Sequence, residues 1–581
     1  MQTYCFERCI LNDGFSQIFL VLCSSILNTI IYSRFFTSLY RRYPSSLRDL
    51  LRLVLQADIP LLSIGLRCLL SNQRLFKVTF MDTPSNQSTN NQRYFTVWRW
   101  HFYTGIFVAP FLIVLAITAL GMLFMSNTVG RDNDRLTVVV PESTVQAPVS
   151  TQAKNALSTL PDSTLIKYIA PRDTDTVALF QIKSDDQSNM VAVNPYTADI
   201  VQSVPTSSGL YSTFNDIHSD LLIGKVGDYL LETAASLTIL MILSGWYLWW
   251  QKRKSVKAML IPNERVTNKK KRSFIRTIHA TLGSWISVLL LFFCISGMAW
   301  AGVWGERVVQ AWSQFPAGKW GVAPVPVSID HSQHAAMQES TPAPHVHGAA
   351  ASEAHTDAPT HGSALNSSDT KEVPWVLELT PMPVSGTTMG KDGIAANIPI
   401  MIDTVDRYAR EIGFEGRYQL NLPQGSTGVW TISQDSMSYD MKSPIADRTV
   451  HIDRYSGNVL ADIHFDDYNA FGKFMAAGIA LHMGTLGWWS VLANVLFCLA
   501  VIAICVSGYI MWWQRRPRHA RDSAGLNPPA RGLNVSVWWP LAIPLLIVAI
   551  IFPTAIIAIV AIALLDFLVI SRVGFLQKLL K

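Results

Sequence analysis

Cysteine is scarce in this sequence and never stands in a ligand pattern. The 581-residue chain has 7 cysteines, none in CxxC or CxxCH spacing. That excludes a disulfide framework, a thiolate metal site and covalent attachment of a c-type haem. Charge is scarce as well: 15% of residues are Asp, Glu, Lys or Arg against 49% hydrophobic, with a mean hydropathy of +0.24. This balance excludes an ordinary soluble enzyme and places the chain among membrane proteins. HExxH, a helix-opening GxGxxG and GxxxxGK[ST] are all missing, which removes zincin, dinucleotide and P-loop chemistry. The net charge of +6 calls for no nucleic acid, because the basic residues sit at the ends of apolar runs.

Those apolar runs are what the sequence has in quantity. Four are long enough to cross a bilayer: about 98–126, 227–250, 275–304 and 485–513. Lys and Arg crowd the short segments 251–276 and 514–531, while 127–225 and 305–475 are long and nearly charge-balanced. Counting cations in the short loops puts the termini and both basic loops in the cytoplasm and the two long segments outside it. Residues 536–571 form a further apolar stretch with Pro553 midway, read as a hairpin of two short helices, with one long tilted helix as the other option. Residues 1–80 differ in kind: they carry Cys5, Cys9, Cys23 and Cys68 but none of the 18 tryptophans. They read either as an extra anchor or, on composition, as a stretch preceding a true start at Met81.

The chain repeats itself. SGWYLWWQKRK (244–254) and SGYIMWWQRRPR (507–518) close the second and fourth spans, and His-x3-Gly opens the first at His101 and the third at His279. VAVNPYTADIV (191–201) parallels VHIDRYSGNVL (450–460), each with the alternation and turn residues of a β-hairpin. The unit span, external domain, span thus occurs twice, and matched halves suggest pseudo-symmetry with sites at the repeat interface. Each span also has one histidine near its start: His101, His218, His279 and His482. His101 and His279 fall at the cytoplasmic level, His218 and His482 at the outer one. An ionisable group there is costly without a partner, and two facing imidazoles can fill both axial positions of a b-type haem iron. Gly105, Gly283, Gly224 and Gly487, about a turn further on, would let a flat porphyrin approach the backbone. The paired tryptophans at span ends read as interface anchors.

The tract 331–362 is rich in Ala, Pro, Ser, Thr and His and has no apolar period. It reads as a solvated linker, with His331, His334, His345 and His347 as candidates for loose copper, zinc or haem-iron binding.

WRWHFYTG, IHSDLLIGKVGDYL, IHATLGSW, LHMGTLGWW and the paired SG-x4-WWQ endings resemble the PepSY-associated transmembrane family, which includes bacterial ferric-siderophore reductases. The resemblance spans about 90–515. It implies an inner-membrane α-helical bundle of four core spans in two repeats bearing two extracytoplasmic α+β PepSY-like domains, to which the apolar run at 536–571 adds the C-terminal hairpin. The plan is then an extension (1–80), leader and first span (81–126), a periplasmic PepSY-like domain (127–225), second span (226–250), a basic loop (251–274) and third span (275–304). A periplasmic region (305–475) follows, with the linker and a second PepSY-like domain at about 373–470, then the fourth span (476–513), a basic loop (514–535) and the hairpin (536–571). By the same resemblance His101 with His279, and His218 with His482, would each hold one of two non-covalent haems. In the first hairpin, Asn194 and Ala198 stand where the family tends to have Asp and Gly.

The expected function is electron transfer across the inner membrane to a periplasmic ferric-siderophore or other metal chelate. The inner loops are too short for a flavin or nicotinamide domain, so the donor would be membrane quinol or a separate cytoplasmic reductase. Two alternatives from other classes are a peptide- or protease-binding membrane protein without redox activity, and a metal or siderophore permease.

Overall fold

A computed structural model describes residues 86–131, 133–140, 145–185, 187–206, 208–262, 272–313, 359–366, 372–387, 390–515, 543 and 545–564. The expectations for residues 1–80 and for His331, His334, His345 and His347 lie outside them, as do 536–542, 544 and 565–571 of the C-terminal apolar stretch.

Four of the described helices are long and apolar enough to cross a membrane: α1 (Asn86–Thr128), α4 (Lys225–Arg253), α5 (Arg272–Met298) and α11 (Trp488–Trp513). In hydrocarbon a helix satisfies its own backbone groups, so these apolar runs have no other economical conformation. α1 packs on α4, α4 on α5, α5 on α11, and α11 closes the ring against α1. Val108, Leu112, Leu237, Ile242, Leu290, Phe497 and Val501 fill the interior. α12 (Pro553–Leu564) lies against α4, and Pro553 follows a break at Phe552.

The spans differ from their expected limits in informative ways. The third helix stops at Met298, and after a turn at 299–301 a separate α6 (Gly302–Ser313) begins. Asp228 and Glu232, one turn apart on α4, take the first backbone N–H groups of α6: Gly302 N donates to Asp228 at 2.8 Å, and Val303 N to Glu232 at 3.1 Å. Two carboxylates at a helix N-terminus meet its unpaired donors and positive dipole end. The segment 476–513 is likewise two helices, α10 (Ala470–Met483) and α11, parted by Gly484 and Gly487 at φ +76° and +96°.

The strands of both long segments meet in one antiparallel eight-stranded sheet of order β4-β3-β2-β1-β5-β6-β7-β8. The first half is β1 (Thr164–Ile169), β2 (Ala178–Lys183), β3 (Ser188–Val193) and β4 (Ile200–Pro205). The second is β5 (Gln419–Asn421), β6 (Trp430–Gln434), β7 (Arg448–Ile452) and β8 (Val459–His464). They join where Tyr168 pairs with Leu420. Alternate residues such as Tyr168, Phe180, Ile182, Leu420, Ile432 and Val450 face a core closed by α2 (Val149–Leu157) and α9 (Ile402–Glu411).

The two hairpins anticipated from the sequence are β3–β4 and β7–β8. Their turns match: Tyr196 N donates to Asn194 Oδ1 at 2.9 Å, and Tyr455 N to Asp453 Oδ1 at 2.7 Å. Ala198 occupies the left-handed position, φ +59°, that Gly457 fills at +74°. Asn194 and Ala198 therefore keep the turn geometry while departing from the expected residues, at the steric cost of a Cβ in that region.

The opposite face of the second half is buried yet polar: Gln419, Asn421, Thr431, Thr449 and His451 are all under 9% exposed. It is covered by α7 (His361–Leu365) and α8 (Trp375–Glu378), with buried polar groups paired as burial requires. The tract read as a linker to 362 is therefore folded at its end. His361 N donates to Thr380 O at 3.0 Å, and the His361 ring is fully buried.

Candidate functional site

At the end of the ring remote from the sheet, His101 on α1 and His279 on α5 face each other across it. Their ring centroids are 6.5 Å apart with planes at 89°. His101 Nδ1 lies 2.9 Å from Ser244 Oγ on α4. His279 Nδ1 lies 2.9 Å from Ser507 Oγ and 3.1 Å from the Ile504 carbonyl on α11. The residue after each serine is glycine, and it lies under the imidazole. A Cβ on Gly245 would sit 3.3 Å from His101 Cε1, and one on Gly508 would sit 3.6 Å from His279 Cε1.

At the sheet end the histidines come from short helices instead of the spans themselves. His218 is in the last turn of α3 (Leu210–Asp220) and His482 in the last turn of α10. Left-handed residues, Leu221 and Gly484, stop those helices so that the chain can turn into the next span. His218 Nδ1 is 2.9 Å from Thr118 Oγ1 on α1, and His482 Nδ1 is 2.8 Å from Ser296 Oγ on α5. Gly297 places its missing Cβ 3.5 Å from His482 Cε1. His218 and His482 are close enough to interact electrostatically. Phe293 and Trp300 flank His482 at ring-centroid distances of 4.9 and 5.6 Å, and Trp300 continues to Trp375 at 5.0 Å.

The four histidines picked from the sequence are thus brought together two by two. Thr118 and Ser296 each stand 17 residues after the histidine of their own span. At 1.5 Å per residue the two levels are roughly 25 Å apart. The glycines expected to admit a porphyrin do other work. Gly224 and Gly487 have φ +59° and +96° and begin the second and fourth spans, while Gly105 and Gly283 face Met241 and Ile504. The glycines beside the rings are Gly245, Gly508 and Gly297. Sequence reasoning passed over them, although the identical Ser-Gly that begins both repeated span endings was a usable signal.

A second polar cluster lies in the sheet domain. His361 Nε2 is 2.8 Å from His451 Nε2, and His361 Nδ1 is 2.7 Å from the Thr380 carbonyl. Burial lowers the pKa of the His361 ring to about 4, and burial followed by the neighbouring His361 holds that of the His451 ring well below its ordinary value, so both are neutral at ordinary pH. Burial raises the Asp435, Asp440 and Asp447 carboxyls to about 7, about 6 and about 8; Asp440 adds to the rise at Asp435, and Asp435 to that at Asp447. Burial alone would raise Glu372 too, but Lys167 and Arg131 outweigh it and hold this carboxylate below the usual range. The neighbouring cavity, lined by Lys167, His361, Glu372, Gln419 and Asp435 among others, has room for about one water, too little for a chelate. Among the described residues no group of three or more His, Cys, Asp or Glu side chains is arranged to hold a metal ion.

A ring of membrane-length helices with a sheet domain at one end defines a multi-pass membrane protein with an α+β part. Residues 98–515 match the family described as PepSY-associated TM region, and the chain belongs to that family. A comparison with curated proteins finds no match.

Proposed function

We propose that this protein holds two non-covalent b-type haems and passes electrons across the bacterial inner membrane to a periplasmic ferric-siderophore or other metal complex. The observation that carries this reading is the pairing of four imidazoles at two levels of one helical ring, with His101 and His279 centred 6.5 Å apart. That spacing would admit one haem iron held between the two rings by a nitrogen of each. The donor set suits the group: neutral nitrogen ligands, no thiolate, and glycine beside three of the four rings.

In this reading His101 and His279 hold one haem and His218 and His482 the other. When bound, haem supplies a one-electron couple. The chain's own part is to hold its imidazoles at fixed depth and to exclude bulk water with the apolar ring. Membrane quinol or a separate cytoplasmic reductase supplies the electrons, and the sheet domain lies on the periplasmic side with the basic loops in the cytoplasm. Reducing the bound metal weakens a hard-oxygen chelate, because Fe(II) is the softer and less charged ion.

Absorption spectroscopy of the protein purified from haem-replete cells tests the reading. Low-spin bands that sharpen on dithionite reduction, with about two haems per chain by pyridine haemochrome, are the expected result. A folded, colourless protein that takes up no added haem overturns it.

A further inference from the structure

Each of the four imidazoles meets a hydroxyl through Nδ1, and all four hydroxyls are already in use as donors. Ser244 Oγ donates to the Met241 carbonyl at 3.0 Å, Ser507 Oγ to Ile504 at 2.8 Å, Ser296 Oγ to Phe292 at 2.8 Å and Thr118 Oγ1 to Val114 at 2.9 Å. A hydroxyl has one proton, so once it is directed at a helix carbonyl the oxygen can only accept from the ring. At His279 the same conclusion comes independently, since the Ile504 carbonyl 3.1 Å from Nδ1 has no proton to give. A neutral imidazole carries a single N–H. If Nδ1 carries it, Nε2 is a bare lone pair.

We infer that Ser244, Ser507, Ser296 and Thr118 are positioning residues that fix all four histidines as the Nδ1–H tautomer and so direct four Nε2 lone pairs at the haem irons. The inference rests on the haem reading above and adds to it which residues decide ligand basicity and orientation. The arrangement is economical in sequence. Three of the four hydroxyls are followed by a glycine, Gly245, Gly508 or Gly297, whose missing Cβ leaves the ring space to sit close to the helix. A serine in a helix commonly bonds back to a carbonyl three or four residues earlier; here that bond also turns the oxygen into a pure acceptor. A partner on the non-ligating nitrogen fixes the ring and raises its basicity, and losing such a partner typically costs 10–100-fold in metal affinity.

The test uses the full chain with alanine at Ser244, Ser507 or Ser296 and valine at Thr118, reading haem retention, the midpoint of each haem by dithionite titration, and the low-spin electron paramagnetic resonance signals. Ser244→Ala is expected to weaken its haem by roughly 10–100-fold and to raise its midpoint, because a less basic imidazole stabilises Fe(III) less; Ser507→Ala should act on the same haem but less, because the Ile504 carbonyl 3.1 Å from His279 Nδ1 still accepts. Ser296→Ala and Thr118→Val should act in the same way on the other haem only. Ser244→Thr and Thr118→Ser keep a hydroxyl and should restore both readouts, including where the hydroxyl-free variant loses its haem entirely. Unchanged midpoints, signals and haem retention in all four hydroxyl-free variants overturn the inference while leaving the haem reading intact. A haem loss that the hydroxyl-retaining variants fail to restore also overturns it. A wild-type protein that binds no haem removes the reading underneath instead.

Discussion

Replacing one histidine of a pair should remove one haem, and replacing its partner as well should remove no more. The magnitude follows from the helical rise. The 17 residues from His101 to Thr118, and from His279 to Ser296, separate the levels by roughly 25 Å, far beyond the ~2 Å reach of a metal–nitrogen bond. His218 or His482 therefore cannot stand in for a missing His101. Haem content should fall from about two to about one per chain in His101→Ala, in His279→Ala and in the double variant alike. A variant lacking one histidine from each level, His101→Ala with His482→Ala, should lose both. A single remaining imidazole can keep some haem in an altered spin state, so the spectrum has to be read with the stoichiometry. The assay is pyridine haemochrome against protein concentration, with circular dichroism as the folding control. Two spectrally ordinary haems in the His101→Ala, His279→Ala double variant would refute the pairing, as would loss of both haems from a folded His101→Ala protein.

The sheet domain should lose stability as pH rises from about 6.5 to about 8.5. In that window folded Asp435 and Asp447 hold protons that the unfolded chain has released, whereas His361 and His451 are largely neutral in both states. Thermal unfolding followed by near-ultraviolet circular dichroism should show a falling midpoint, flattened in Asp447→Asn; a rising midpoint contradicts the assignment. Removing residues 331–356 should leave haem content unchanged, whereas His361→Ala leaves the buried His451 without its ring partner and should cost about 1–3 kcal/mol by denaturant melts. Equal destabilisation by both changes would show that the tract does more than tether. Glu232→Ala removes the acceptor of Val303 N, Trp304 N and Thr554 Oγ1 and should destabilise the protein by about 1–3 kcal/mol, with Glu232→Gln keeping most of the loss away; if glutamine is as damaging as alanine, the negative charge itself is what α6 requires.

What the sequence disclosed was set by how local each feature is. Apolar length alone marks a span, so all four were readable. A β-hairpin is written within about ten residues, so both closing hairpins were readable too, whereas the left-handed position that Ala198 shares with Gly457 shows only in the folded backbone. The joining of β1 to β5 was not, because it pairs Tyr168 with Leu420 across some 250 positions and no local signal specifies it. The same limit hid His361 against His451, since one lies in a low-complexity tract and the other in a strand. Ser244 and Ser507 fall between these cases. Their repetition was visible, but the tryptophans that follow offered a sufficient interfacial reason for it, and only the helix crossings show the hydroxyls facing His101 and His279.

The single sheet also separates the mechanical situations of the two histidine pairs. β4 and β8 are the opposite edges of the eight strands, and each leads within a few residues to the helix that ends in a sheet-side histidine, β4 to α3 with His218 and β8 to α10 with His482. His218 and His482 are therefore tied through the β1–β5 junction as well as through their hydroxyl contacts on α1 and α5. His101 and His279 lie within continuous span helices and have no such tie. A change of sheet curvature, or of packing at Tyr168 and Leu420, would reach the spacing of the first pair directly and the second only through some 25 Å of packed helix. Because packed protein interiors transmit displacement instead of absorbing it, the pair beside the sheet domain is the one more directly coupled to that domain's packing.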